Sequence, residues 1–463
     1  MEEIGSVRNV LKTLLDTTSE DASVDNAPQF IIDELIKMYP EHTLNTRVER
    51  VGNKSKIFKF VLTGGPCGGK TTAMARLQGY LKERGFRVFI VPEAATMLLL
   101  NGATFDDFSN PRCPMAFQEY VIRTQISLED STENYARATG EDSVILCDRG
   151  TMDGLAYMNE ENFEILLGEV GMDIVTARDM RYNAVFHLVT AADGACDFYS
   201  LANNAARSES IQEAIDLDIK TQKAWAGHPH HFITGNYGFT FDQKIQQLVS
   251  RLAQFIGLPS VSKDQTHKYS LKSLPDLSGV QTQEFIIEKI MLKNDEKNAH
   301  LTSSSPMSGL RKREEGNYPL LYRFIRKRSQ GSMHAYGITS VYQHPNGQEV
   351  ELKQIIDRRV YRQMLSLADP ERSKIIQRRS YFLYEKQSFY VNEFLSPASE
   401  KGRAFIICQS ENTPMLPPFV KIDHMIRGPD RSHNSSRSLS KLSDDSPSNS
   451  DSLDRQQCKD SVN

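Results

Sequence analysis

The chain has 463 residues and a formal net charge of −4, long enough for two or three domains that each bury a core, which excludes a small module stapled by disulfides or metals. Its six cysteines, at positions 67, 113, 147, 196, 408 and 458, follow no metal-ligand or disulfide-framework spacing. The first residues lack the order of a secretory signal and no apolar run approaches the roughly 18 residues that span a bilayer. A soluble cytoplasmic protein is therefore expected, touching endomembranes or the plasma membrane only peripherally.

Residues 1–53 are polar with one amphipathic stretch at 30–36, and are read as a helical or flexible extension without chemistry. The first chemical signal follows: an apolar run at 57–63 leads into Gly64, Gly65, Pro66, Cys67, Gly68, Gly69, Lys70 and Thr71, which reads as strand, phosphate loop, helix. The glycines let backbone N–H groups turn toward phosphates, and the helix N-terminus adds a positive dipole end. Lys70 is placed to reach the β and γ phosphates, and the Thr71 hydroxyl to hold Mg²⁺. From Thr71 and Thr72 to Arg84, Met74, Leu77 and Leu81 recur at three and four residues, the period of a buried helix face. The expected ligand is Mg²⁺ with GTP or ATP.

Strands at 57–63, 88–91, 144–147 and 185–189 alternate with helical stretches, so residues 54–260 read as a parallel α/β sheet with crossovers. The run 143–147 ends in Asp148, where a Mg²⁺-organising acid belongs beside a phosphate loop. Arg149 could reach the triphosphate. Glu93 follows the second strand, so its carboxylate would face the same crevice and could accept a proton from an attacking hydroxyl. Arg207 lies in a polar, helix-prone segment suited to a lid over phosphates.

Residues 261–281 are read as a polar linker. Beyond it, runs at 284–292, 321–327, 335–342, 349–355, 381–384 and 404–408 have strand composition, and Asn346-Gly347 marks a hairpin. A mostly antiparallel α+β domain, a barrel or curled sheet, is expected over 282–427. That span holds 23 Lys and Arg against 16 Asp and Glu, which favours a phosphorylated or acidic partner. Residues 428–463 carry too few apolar side chains to offset the entropy of ordering and are read as a disordered tail.

Taken together, the phosphate loop, the run 187–195, Trp225-Ala226-Gly227-His228-Pro229-His230 and Ile233-Thr234-Gly235-Asn236 closely resemble the TRPL translocation defect family, GTP-binding proteins of membrane-protein trafficking. The resemblance spans about residues 55–425. It implies a kinase-like P-loop NTPase domain in which Asn236 approaches the nucleotide base, followed by a domain similar to triphosphate-tunnel (CYTH-like) barrels. Thr234-Gly235 stands where an acidic residue is expected before Asn236, so GTP and ATP both remain open. Alternation puts Glu284 and Glu288 on one face, and sets Arg326 and Arg328 on the face opposite Arg323 and Lys327. In the tunnel fold, Glu284 and Glu288 would lie inside an eight-stranded barrel, and Arg323, Arg326, Lys327, Arg328, Arg378 and Arg379 would grip an anion. Ile286 stands in the middle acidic place, which weakens Mg²⁺ binding there and favours anion binding over hydrolysis. The implied role is a GTP-binding regulator that recognises phosphoinositides during trafficking of a membrane-protein cargo. The rival is an ATP-dependent small-molecule kinase with Glu93 as base, Asp148 and Thr71 on Mg²⁺ and Arg207 as lid. No nucleic-acid partner is expected, because no binding motif with aromatic stacking positions is present.

Overall fold

The computed structural model describes residues 55–199, 210–238, 240–258, 266–293, 319–345, 347, 349–385, 387–409 and 414–426. The expected N-terminal extension, Arg207, Asn346 and the tail 428–463 lie outside the described residues.

The first lobe is built on strands β1 (Ile57–Thr63), β2 (Arg87–Val91), β3 (Ser143–Asp148), β4 (Ala184–Leu188) and β5 (His231–Thr234). They form one parallel sheet in the order β2-β3-β1-β4-β5. The connections depart to opposite sides of β1, which makes the carboxyl end of β1 the topological switch point where such sheets bind ligands. Both faces of β1 are buried, as a parallel sheet covered by helices requires. Phe58, Phe60 and Leu62 pack with Met74, Leu77 and Leu81 of α1 (Lys70–Glu83) and with Leu248, Leu252 and Phe255 of α6 (Phe241–Phe255). Val61, with Ile145, Cys147 and Val185, faces Ile122 of the long helix α3 (Cys113–Thr139), Phe163 of α4 (Glu160–Glu169) and Trp225. Each of these buried large side chains contributes about 1.5–3 kcal/mol of hydrophobic stabilisation. The remaining helices of this lobe are the short α2 (Ala94–Leu100) and α5 (Ile211–Ala224), the latter opened by a Ser210–Glu213 capping box.

The second lobe is a nine-stranded sheet: β6 (Thr266–Leu271), β7 (Thr282–Leu292), β8 (Leu320–Gln330), β9 (Met333–Gln343), β10 (Glu349–Ile356), β11 (Ile375–Tyr384), β12 (Gln387–Ser396), β13 (Ala404–Gln409) and β14 (Ile422–Met425). Its order is β10-β9-β8-β7-β11-β12-β13-β6-β14, with every pair antiparallel. Strand β6 arises from the stretch read as a linker. Among the described residues the ladder has two ends, β10 and β14, rather than the closed eight-stranded barrel that the resemblance implies. The edge strand β10 instead meets the first lobe: Leu352 forms an isolated bridge with Ile256, just past α6, and packs into that lobe's core. Helix α7 (Arg358–Leu365) places Tyr361 and Met364 against Ile325 and Ile338 on one face of the sheet.

Candidate functional site: a phosphate loop and an inward basic face

The chain leaves β1 through Gly64 (φ 131°) and Cys67 (φ 54°), and Gly69 (φ 87°) opens α1. A Cβ on Gly64 would lie 2.0 Å from the Leu188 carbonyl oxygen and one on Gly68 2.5 Å from the same atom. Only glycine lets the loop lie this close to the end of β4. Two contacts fix the loop from behind. Gly65 N donates to Asp218 Oδ1 of α5 at 2.7 Å, and Thr190 Oγ1 donates to the Pro66 carbonyl. Lys70 Nζ donates to the Gly64 and Gly65 carbonyls at 3.0 and 2.9 Å, so the ammonium lies over the loop. Burial, followed by the nearby Arg149, pulls its pKa down to about 8. Thr71 and Thr72 are exposed in the first turn of α1.

Asp148 ends β3 opposite Leu62 of β1. Its Oδ1 is buried and has no hydrogen-bond partner among the described residues. Burial raises its pKa, opposed by Lys70 and reinforced by Glu93. An orphaned carboxylate oxygen beside a phosphate loop fits Mg²⁺, which takes one or two carboxylates and completes its shell with phosphate and water. Asp148 and Thr71 would hold the ion, whose charge would offset that of the β and γ phosphates. Among the described residues no cluster of three or more His, Cys, Asp or Glu is arranged to hold a metal.

Arg149, in a left-handed conformation (φ 66°), is engaged by carboxylates: Nε meets Glu93 Oε1 at 2.5 Å and Nη1 meets Asp153 Oδ1 at 3.4 Å. Glu93 also accepts from Thr96 Oγ1 at 2.6 Å. Burial pushes the Glu93 carboxyl up, but Arg149, Thr96 and Lys70 together hold it below its ordinary value. Asp153, absent from the sequence reading, is the hub of this corner. It accepts from Thr63 Oγ1, from Gly150 N at 2.8 Å and from Trp225 Nε1 at 3.2 Å.

Asn236 does not present a free amide to a base. Its Nδ2 donates to the Thr190 and Asp193 carbonyls at 2.8 and 2.7 Å, and its Oδ1 accepts from Lys244 Nζ at 2.8 Å. Lys244, whose pKa burial lowers to about 8, also donates to the Val189 carbonyl at 2.7 Å. Asn236 and Lys244 thus tie the loop after β4 to α6. Asp218 and Lys244 were not singled out in the sequence. The signal for Asp218 was present: Ala214, Asp218, Thr221 and Gln222 share the buried helical face of α5.

In the second lobe, cross-strand partners share a face, and the register splits the six basic residues between two faces. Lys289 is opposite Arg326, Ile287 is opposite Arg328 and Gln377, and Phe285 is opposite Arg379. Following the pairs outward adds Lys268, through Ile407, and Lys353, through Thr339. Arg323, Lys327 and Arg378 point the other way, where Lys327 meets Glu288 at 3.4 Å and Arg378 meets Glu393 at 3.4 Å. Glu284 and Glu288, expected inside the tunnel, also lie on that opposite face. The inward face of β7 carries Phe285, Ile287 and Lys289, so the alternating Glu-Glu-Lys of tunnel enzymes reads Phe-Ile-Lys there.

The inward face is electrostatically uneasy. Burial, followed by Arg379, Arg326 and Lys268, drives the Lys289 pKa well below its ordinary value. Burial and then Arg326 lower that of Arg379, whose Nε donates to Asn392 Oδ1 at 2.7 Å. Gln377, 0% exposed on this face, has neither amide atom bonded among the described residues. Lys289, Lys268 and Gln377 were missed in the sequence because isolated cations and amides reveal their common face only through register.

Residues 59–238 match the family model of an AAA domain. No curated protein matches the chain. The match ends before the second sheet begins. Together with the loop geometry and the parallel sheet, it makes the first lobe a P-loop NTPase-like, nucleotide-binding domain.

Proposed function

We propose that the chain is a Mg²⁺-nucleotide-binding regulator whose second sheet binds the phosphorylated headgroup of a phosphoinositide, recruiting it to membranes in the trafficking of a membrane protein. The finer part of this reading, GTP as the nucleotide and a CYTH-like second domain, continues the resemblance to the TRPL translocation defect family. One observation carries the anion half: Lys268, Lys289, Arg326 and Arg379 share a face with an unpartnered, buried Gln377. Burying like charges together is costly unless an opposite charge meets them, and several cations converging on phosphate oxygens supply that compensation. On this face β7 carries Phe285 and Ile287 in place of an acidic pair, and Glu351 of β10 is ion-paired with Lys353 at 2.7 Å, which favours anion binding over metal-assisted hydrolysis.

The kinase alternative needs Glu93 as a base. With Arg149 at 2.5 Å, its carboxylate is stabilised in the charged form and is a weaker proton acceptor, so the regulator is preferred.

Calorimetry with GTP and ATP in Mg²⁺, on the intact chain and on Lys70→Ala, tests the nucleotide half. GTP preference lost in the variant supports the regulator; phosphoryl transfer from ATP to an added acceptor would favour the kinase. Flotation with vesicles containing phosphatidylinositol bisphosphate, compared with soluble inositol phosphates on the Lys70→Ala background, tests the anion half. Normal binding by a Lys289→Met, Arg326→Met double variant would remove it.

A further inference from the structure

The basic face of the second sheet is turned toward the first lobe, and a carboxylate of that lobe already stands on it. Asp179, in the turn of π-helix Thr176–Met180, is 3% exposed. It is gripped by Arg178, with Nε to Oδ1 at 2.8 Å, and by Arg328 Nη1. Arg328 also donates to the Gly227 carbonyl and stacks 3.5 Å over the Phe285 ring. Arg178 continues into the sheet, donating to Gln283 Oε1 at 2.8 Å and Gln330 Oε1 at 2.7 Å. The approach is close: a Cβ on Gly227 (φ +87°) would lie 2.0 Å from Gln283 Oε1.

The segment held by Arg328 is continuous with the nucleotide site. Two residues before Gly227, Trp225 is 0% exposed, and its ring packs so tightly on Gly150 that a Cβ there would lie 2.9 Å from Cζ2. Its Nε1 donates to Asp153, the residue that also contacts Thr63, Arg149 and Gly150. Trp225 follows α5, whose Asp218 accepts the Gly65 N–H of the phosphate loop. Further along, Tyr390 OH of the sheet meets the His228 carbonyl at 3.5 Å.

Building on the anion reading above, we infer that Asp179 is an internal stand-in for the anion on the sheet's basic face, and that its displacement by a phosphorylated headgroup loosens the nucleotide site through residues 225–228. A headgroup that recruits Arg328 takes it from both Asp179 and the Gly227 carbonyl. The strand of chain that positions Trp225 then loses its anchor, and with it the orientation of Asp153 and the hold of α5 on the loop. The coupling is negative and reciprocal: headgroup weakens nucleotide binding, and nucleotide weakens headgroup binding by the same factor. A factor of about ten lies within the usual range of such couplings.

The test uses the full chain and two readouts, calorimetric nucleotide affinity and the emission of Trp225, the single tryptophan. Asp179→Asn, which removes the stand-in charge, and Arg328→Lys, which keeps charge but shortens the grip, are both compared with the parent chain after cooperative melting establishes folding. The expected result without any lipid is altered Trp225 emission and nucleotide affinity lowered about tenfold in at least one folded variant. Phosphatidylcholine vesicles with phosphatidylinositol bisphosphate should lower the parent's nucleotide affinity and leave Asp179→Asn unmoved. Unchanged affinity and emission in both folded variants would overturn the inference. Altered affinity in the variants, with no vesicle binding by any form, would leave the lobe coupling standing and remove the headgroup reading alone.

Discussion

The phosphate loop and the basic face of the second sheet both suit phosphate, yet they are built from opposite materials. In the loop, backbone N–H groups do the work, and the side chains are chosen for absence: Gly64 and Gly68 are glycine because Leu188 leaves no room for a Cβ. Attraction comes from fixed backbone dipoles and one lysine. On the sheet, cations from five strands share one face, where burial, followed by neighbouring cations, lowers the proton affinity of Lys289 and Arg379. The first site is preorganised geometry; the second is stored repulsion. Mutations should therefore act in opposite directions on stability at the two places.

The largest expected effect is at Lys70. Lys70→Ala should weaken nucleotide binding by about 2–3 kcal/mol, on the order of a hundredfold, since a charge-assisted hydrogen bond is lost; calorimetry that finds less than a threefold change would place the phosphates elsewhere. Next, Gly64→Ala should destabilise the fold by about 1–3 kcal/mol through its left-handed-region backbone and its clash with Leu188, read as a lower melting temperature. The second site should behave the other way: Lys289→Met should raise stability by about 1–2 kcal/mol, as replacing a buried charge by an apolar side chain often does, while weakening vesicle binding. A destabilised Lys289→Met would mean that the inward face is not under repulsion.

Smaller effects sharpen the contrast. Lys70 and Lys244 release protons near pH 8 when folded, against about 10.5 in the unfolded chain. Across that window the unfolded state binds more protons, so stability contributed by these groups rises with pH from about 8 to about 10.5. Urea melts of Lys244→Met should show a flatter pH dependence there. The smallest change belongs to Arg378, exposed on the outer face beside Glu393: Arg378→Ala should cost about 0–1 kcal/mol and leave vesicle binding intact, whereas Arg379→Ala, one residue along and on the inward face, should reduce it. Equal effects from the two would contradict the register.

Contiguity separates what was legible from what was not. The run from Ile57 to Thr71 encodes strand, loop and helix in one stretch, because a phosphate loop is a local backbone conformation whose requirements fall on neighbouring residues. The helical period of α1, the acid at the end of β3 and the strand composition of β7 through β9 were readable for the same reason: each depends on residues a few positions apart. The fate of Arg149 and Asn236 was not, since Glu93, Asp153, Thr190 and Lys244 come to them from other elements. Alternation within β8 already set Arg326 and Arg328 apart from Arg323 and Lys327, but which of the two faces turns toward the first lobe was not legible, because a one-residue change of register reverses every side chain in a strand. By itself the sequence determined that this protein cradles a nucleotide's phosphates and carries a basic second sheet. Tertiary structure alone decided which cations converge, that Glu284 and Glu288 lie apart from them, and that Asp179 of the first lobe meets Arg328 of the second, because those are pairings between distant segments that only strand register and lobe packing bring together.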